Sequence, residues 1–192
     1  MKRIISVILA AMMLLMIAPT AAHGKRAESR APYGYVEHEY DQLLAFMEQT
    51  NSAGVKNGTQ LSSAYDPNDP ETWGGIFWYI APTGFIHAEY IFFSTYDFPN
   101  RNLVGTLNLS GFSKLRAFGC AGNSITAVSI SDCPLLDELN VAQNLLTNFS
   151  VSNCAELRLV WCEENMLPSV SMSNLPKLRQ LHCYQNPITE LD

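Results

Sequence analysis

The chain has 192 residues, of which 47% are hydrophobic and 16% charged, and its net charge is −6. That length suits one domain with a sizeable core once an N-terminal leader is set aside. Mild acidity, without a basic stripe or an acidic tail, argues against nucleic acid as a partner.

Lys2 and Arg3 precede an apolar run over residues 4–17, and small residues follow at Ala18 and over 20–24. This is the pattern of a secretory signal peptide, residues 1–24, with cleavage after Ala22 or Gly24. The run falls short of the ~20 apolar residues of a membrane helix, and an uncleaved anchor is the alternative. No cysteine follows it in a lipid-anchor position. The expected location is therefore secreted or cell-surface. Membrane contact is expected only through the leader or a further C-terminal anchor.

Residues 25–40 are charged and polar and read as a flexible mature N-terminus. Within them Glu37, His38 and Glu39 read as a solvated helix start, because a zinc motif needs a second histidine one helical turn away. Residues 41–101 read as an N-terminal cap. DQLLAFMEQ at 41–49 predicts an amphipathic helix with Asp41 near its N-cap and Leu43, Leu44, Phe46 and Met47 apolar. A turn-rich stretch from Asp66 through Pro70, the WGGIFW segment between Trp73 and Trp78, a turn ending at Gly84 and a strand over 85–93 follow.

Residues 102–192 repeat. Asn102, Asn123, Asn144, Asn165 and Asn186 recur every 21 residues. Leu115, Leu136, Leu157 and Leu178 lie eight residues before an asparagine, and Phe118, Leu139, Val160 and Leu181 five before. Cys120, Val141, Cys162 and Cys183 lie three before. After each asparagine come Ile125, Leu146, Leu167 and Ile188, then Val128, Phe149, Val170 and Leu191. The period-two alternation sends Phe118 and Cys120 inward while Ala117, Gly119 and Ala121 point out. One such coil cannot bury its own apolar side, so neighbours must stack. The asparagines are expected to form a buried structural ladder that satisfies backbone groups of adjacent coils. The returning segments, Val128 with Ile130 and Phe149 with Val151, alternate too and predict a second short strand in place of a helix.

The frame L-x-x-L-x-C-x-x-N-x-L resembles the leucine-rich repeat family, with Cys or Val replacing the third leucine. The resemblance implies a right-handed leucine-rich repeat solenoid of the α/β class, mostly β, with a parallel concave sheet and a helical N-terminal cap. The short repeats are similar to those of bacterial internalin-like surface proteins. The helix with LLAF, the W-x-G-x-x-W segment and the L-x-G at Leu103 and Gly105 look like the cap of plant-type extracellular repeat receptors. The cysteines that flank the cap tryptophan in that family are absent here.

The five cysteines are an odd number for disulfide pairing. Their exchange with Val, Phe and Leu at equivalent positions favours buried free thiols. A Cys133–Cys154 or a Cys162–Cys183 disulfide across adjacent coils stays open. The last coil ends without a covering segment, and the array is expected to continue in a longer protein.

In this family partners dock on the concave sheet. Its outward positions here are Ala117, Gly119 and Ala121; Glu138, Asn140 and Ala142; Leu159, Trp161 and Glu163; Gln180, His182 and Tyr184. A patch centred on Trp161, His182 and Tyr184 is the expected binding site, with Glu138, Asn140, Leu159, Glu163 and Gln180 around it. No nucleophile–base pair, phosphate loop or metal-ligand spacing recurs, so neither an enzyme nor a cofactor or metal is expected. A protein-binding surface scaffold for a host, matrix or neighbouring surface protein leads. A glycan-binding module, or the non-catalytic arm of a larger secreted enzyme, is the alternative.

Overall fold

The computed structural model describes residues 31–94 and 102–191. The expected leader, residues 1–24, lies outside the described residues. Among those described, no helix is long and apolar enough to cross a membrane.

The N-terminal unit holds α1 (Glu37–Met47), α2 (Asn57–Leu61), a 3-10 turn (Pro70–Thr72), β1 (Ile76–Ile80) and β2 (Ile86–Phe92). Then follow β3 (Val104–Ser110), β4 (Ala117–Gly119), β5 (Ser124–Ser131), β6 (Glu138–Asn140) and β7 (Asn148–Ser152). The last strands are β8 (Leu159–Trp161), β9 (Ser169–Ser173), β10 (Gln180–His182) and β11 (Glu190–Leu191). One sheet runs β1-β2-β4-β6-β8-β10 and the other β11-β9-β7-β5-β3. Among the described strands the pairings are parallel except in the β1–β2 hairpin. The chain is thus a β-solenoid in which each 21-residue coil adds one strand to each sheet, as at Leu139 beside Val160 and Val128 beside Phe149.

The core lies between the sheets. Leu115, Leu136 and Leu157 are buried, as are Phe118, Leu139 and Val160, and the facing Val128, Phe149 and Val170. Each coil turns two corners with left-handed backbone. Gly111 (φ 75°), Asp132 (54°), Asn153 (55°) and Asn174 (53°) make one corner. Gly122 (77°), Gln143 (53°), Glu164 (55°) and Gln185 (54°) make the other. Asp and Asn tolerate this region because their short side chains bond locally. Here Asn153 Nδ2 donates to Asp132 Oδ1 at 2.9 Å and Asn174 Nδ2 to Asn153 Oδ1 at 2.7 Å. This second, exposed ladder was not read from the sequence, although its members also recur at 21 residues.

In the main ladder Asn123, Asn144 and Asn165 are buried and Asn186 is partly so. Asn144 Nδ2 donates to Cys120 O of the preceding coil at 3.0 Å and to Ala142 O at 3.0 Å. Its Oδ1 accepts from Ile125 N, again in the preceding coil, at 3.1 Å. Asn165 repeats this with Val141 and Leu146. Asn102 does not belong to the series, which corrects the expectation. Leu103 N is the group that Asn123 Oδ1 accepts, in the role of Ile125 for Asn144. Asn102 therefore lies one residue out of phase, and it is exposed. The β3–β5 register shifts by one between Gly105 and Thr106, where Thr126 of β5 is passed over.

The N-terminal unit also departs from expectation. Helix α1 starts at Glu37, not near Asp41, and Val36 occupies the N-cap position without a side-chain bond. Glu37 and Glu39 in its first turn complement the helix dipole. Glu39 is buried rather than solvated, accepting from Ala88 N at 2.9 Å and lying 3.0 Å from His87 Nδ1. Residues 31–40 are therefore part of the fold: Tyr35 bridges Ile86 and rests edge-on against Trp78. Tyr40, Leu43, Phe46 and Met47 face the core, where Phe46 stacks on Phe93 at 5.5 Å.

Helices α1 and α2 lie against β3, the edge of its sheet, and bind it through carboxamides. Gln42 accepts from Ser110 N and donates to Ser110 O. Gln49 does the same with Thr106, Asn57 with Val104 and Gln60 with Asn102. Each side chain reproduces the donor–acceptor pair of a strand residue, so the edge that a neighbour would otherwise extend is occupied. Gly105 permits this approach, because a Cβ there would collide with Gln49 Oε1.

All five cysteines are free thiols, four buried and Cys183 partly so. Burial holds the Cys120 thiol well above its ordinary range and pushes Cys162 up to about 12. The neighbouring Cys154 thiol and burial do the same to Cys133. The Cys133 hydrogen bond draws the Cys154 thiol downward, but all four are enclosed, and enclosed thiols react slowly. A maleimide reagent is expected to label Cys183 first and to leave Cys120, Cys133, Cys154 and Cys162 unlabelled until denaturant is added. Rapid native labelling of any of those four overturns this reading.

Candidate functional site

The outer face of the six-stranded sheet carries two continuous rows. Strand register aligns Phe92, Gly119, Asn140, Trp161 and His182 in one row. Tyr90, Ala117, Glu138, Leu159 and Gln180 form the other. All eight residues expected at the site therefore lie along this face, six of them in the rows. Glu163 and Tyr184 follow just past the strand ends. Ala121 and Ala142, assigned outward with them, are buried instead.

What the sequence reading missed is the other wall. Strand β2 pairs in parallel with β4, so Tyr90 and Phe92 continue the rows beyond the bare first coil, and Phe77 of β1 joins them. Phe77 packs edge-on against Phe92 at 6.1 Å, and Tyr90 stacks on Phe92 at 6.1 Å. The alternation of Tyr90 and Phe92 about inward Ile91 was the available signal, but it says nothing of which strand β2 joins.

Small residues thus lie between two aromatic walls. Phe92 and Trp161 stand three strand spacings apart, about 14 Å. Between them a shallow groove of about 360 Å³ is floored by Ala117, Gly119 and Asn140 and edged by Ser94 and Glu138. Trp161 is half-buried and stacks on His182 with ring centres 6.0 Å apart and planes 22° from parallel. Asn140 Oδ1 accepts from Ala142 N at 3.1 Å, which fixes the amide in the floor. A second, more open hollow of about 610 Å³ lies among the turns at Asn153, Ala155, Asn174, Leu175 and Pro176 and has no titratable side chain.

Charge is distributed unevenly over the face. At the start of the strands Arg116 pairs with Glu89, and Arg158 pairs with Asp137 through two guanidinium nitrogens. The Arg158 hydrogen bonds hold the Asp137 carboxyl below its usual range. At the far end the carboxylate of Glu163, ahead of burial and of Glu164, raises the exposed Tyr184 phenol.

Glu39, His87 and Ser113 are the nearest approach to a catalytic trio. Both Ser113 Oγ (3.5 Å) and Glu39 Oε1 (3.0 Å) meet the same ring nitrogen, His87 Nδ1, so the ring relays nothing between them. Among the described residues no group of three His, Cys, Asp or Glu side chains is placed to hold a metal ion. No protein-family model, curated protein or solved structure matches the chain.

Proposed function

We propose that this chain is an extracellular or cell-surface scaffold of the leucine-rich repeat kind, with its N-terminal unit as the cap. It acts without catalysis and binds a protein partner through the groove on the six-stranded sheet. The observation that carries this is the aligned row from Phe92 to His182, in which two aromatic walls flank a floor of small residues. Exposed aromatics gathered on one face, such as Phe77 and Tyr184, each 57% exposed, are the composition of interface anchors.

Peptide display selection on the immobilised chain tests the reading. Trp161→Ala should weaken the selected peptides at least ~30-fold, since a central aromatic anchor contributes about 2 kcal/mol. Ser129→Ala, exposed on the other sheet, should leave them unchanged. Peptides that bind the Trp161→Ala chain as well as the parent place the ligand elsewhere. A glycan ligand is the second reading, favoured by the half-exposed indole of Trp161. It predicts quenching of Trp161 fluorescence by oligosaccharides and no enriched peptide.

A further inference from the structure

We infer that the end of the groove at Glu163 takes a basic side chain of the partner, a lysine ammonium or an arginine guanidinium. The inference rests on the reading of this face as a docking surface, and it names the chemistry of one contact.

Glu163 Oε2 is buried and has no hydrogen-bond partner. A carboxylate oxygen withdrawn from water without a donor is destabilising, and a chain keeps one where something supplies the donor. Among the described residues nothing does. The described ion pairs join Lys56 to Glu48, His87 to Glu39, Arg116 to Glu89, Arg158 to Asp137 and Lys177 to Glu156, and none involves Glu163. Arg116 and Arg158, each just before a strand, are already matched.

The rings around Glu163 suit the same ligand. Trp161 lies two residues earlier in the same coil, and Tyr184 stands at the equivalent position of the next coil, 21 residues on. The Tyr184 phenol lies within the field of the Glu163 carboxylate, and Trp161 is backed by the His182 ring. A carboxylate beside ring faces attracts an organic cation twice, by its charge and by the ring quadrupole. A metal ion is a poor fit, since this one carboxylate belongs to no metal-ligand cluster. The net charge of −6 adds long-range attraction for a basic partner.

The test uses blocked tripeptides Gly-Lys-Gly, Gly-Arg-Gly and Gly-norleucine-Gly, titrated while the Trp161 indole N–H is followed by NMR. The cationic peptides should bind at least ~10-fold tighter than the norleucine peptide, and less tightly as salt rises. Glu163→Gln should bring all three to the norleucine level and raise the denaturation midpoint, because it removes an unpaired charge. Tyr184→Leu, at an exposed position, should weaken the cationic peptides alone. Equal binding of the three peptides, or Glu163→Gln binding like the parent, overturns the inference. If Trp161→Ala loses display-selected peptides while Glu163→Gln keeps them, the docking face stands and the cation contact falls. If neither substitution matters, both readings fall.

Discussion

Asn144→Ala is expected to lower stability by about 3 kcal/mol, whereas Asn102→Ala should change it by less than about 0.5. The two asparagines hold the same place in the sequence repeat, and the difference lies in what they touch. Asn144 takes the proton of Ile125 N and donates to Cys120 and Ala142 carbonyls inside the stack. Alanine leaves a buried amide proton without its acceptor. Asn102 is exposed, and Gln60 binds its backbone groups, which alanine also carries. Urea denaturation followed by circular dichroism measures both. Equal losses would mean that Asn102 is in the ladder after all.

Asn57→Leu should cost a similar ~3 kcal/mol. Asn57 is fully buried, binds both Val104 backbone groups and donates to Phe46 O at 2.9 Å. Leucine is close in size but supplies neither donor nor acceptor. The companion double substitution Gln42→Leu with Gln49→Leu removes two further bidentate contacts from β3. An edge strand with unmet backbone groups pairs with other chains. Sedimentation should therefore show concentration-dependent association of the double variant and a monodisperse parent. Association that is equal in both would mean that the carboxamides do not guard the edge.

The repeat was legible because inward positions recur without interruption, from Leu115 and Phe118 to their equivalents in each later coil. Periodicity alone decided the coil length, the second strand of each coil and the burial of the cysteines. It misled at Asn102, where a 21-residue spacing continues across a place at which the strand register shifts by one residue. The N-terminal unit has no period. The side-chain sequence around Asp41 looks like a helix start, but the helix begins earlier because Glu39 pairs with Ala88 and His87 far along the chain. Gln42, Gln49, Asn57 and Gln60 read as ordinary polar residues, since their role depends on a strand up to 68 residues away. Half of the candidate site was visible for the same reason: Trp161 and His182 lie in the repeat, whereas Phe77, Tyr90 and Phe92 reach the face through a pairing that no local pattern specifies.

The asparagine ladder has a direction. Every member from Asn123 to Asn186 reaches back to the coil before it, and none reaches forward for its inter-coil bonds. A coil is consequently finished by its successor: Ile125 N stays unmet until Asn144 has been made, and Cys120 O, already bound by Asn123 of its own coil, then gains a second donor. At the opposite end, α1 and α2 supply the contacts to β3 from residues that precede it in the chain. On a ribosome the helical unit emerges first and gives the growing stack a completed edge to build on. Each further 21 residues then close the coil that is already in place, so order of synthesis and order of assembly coincide.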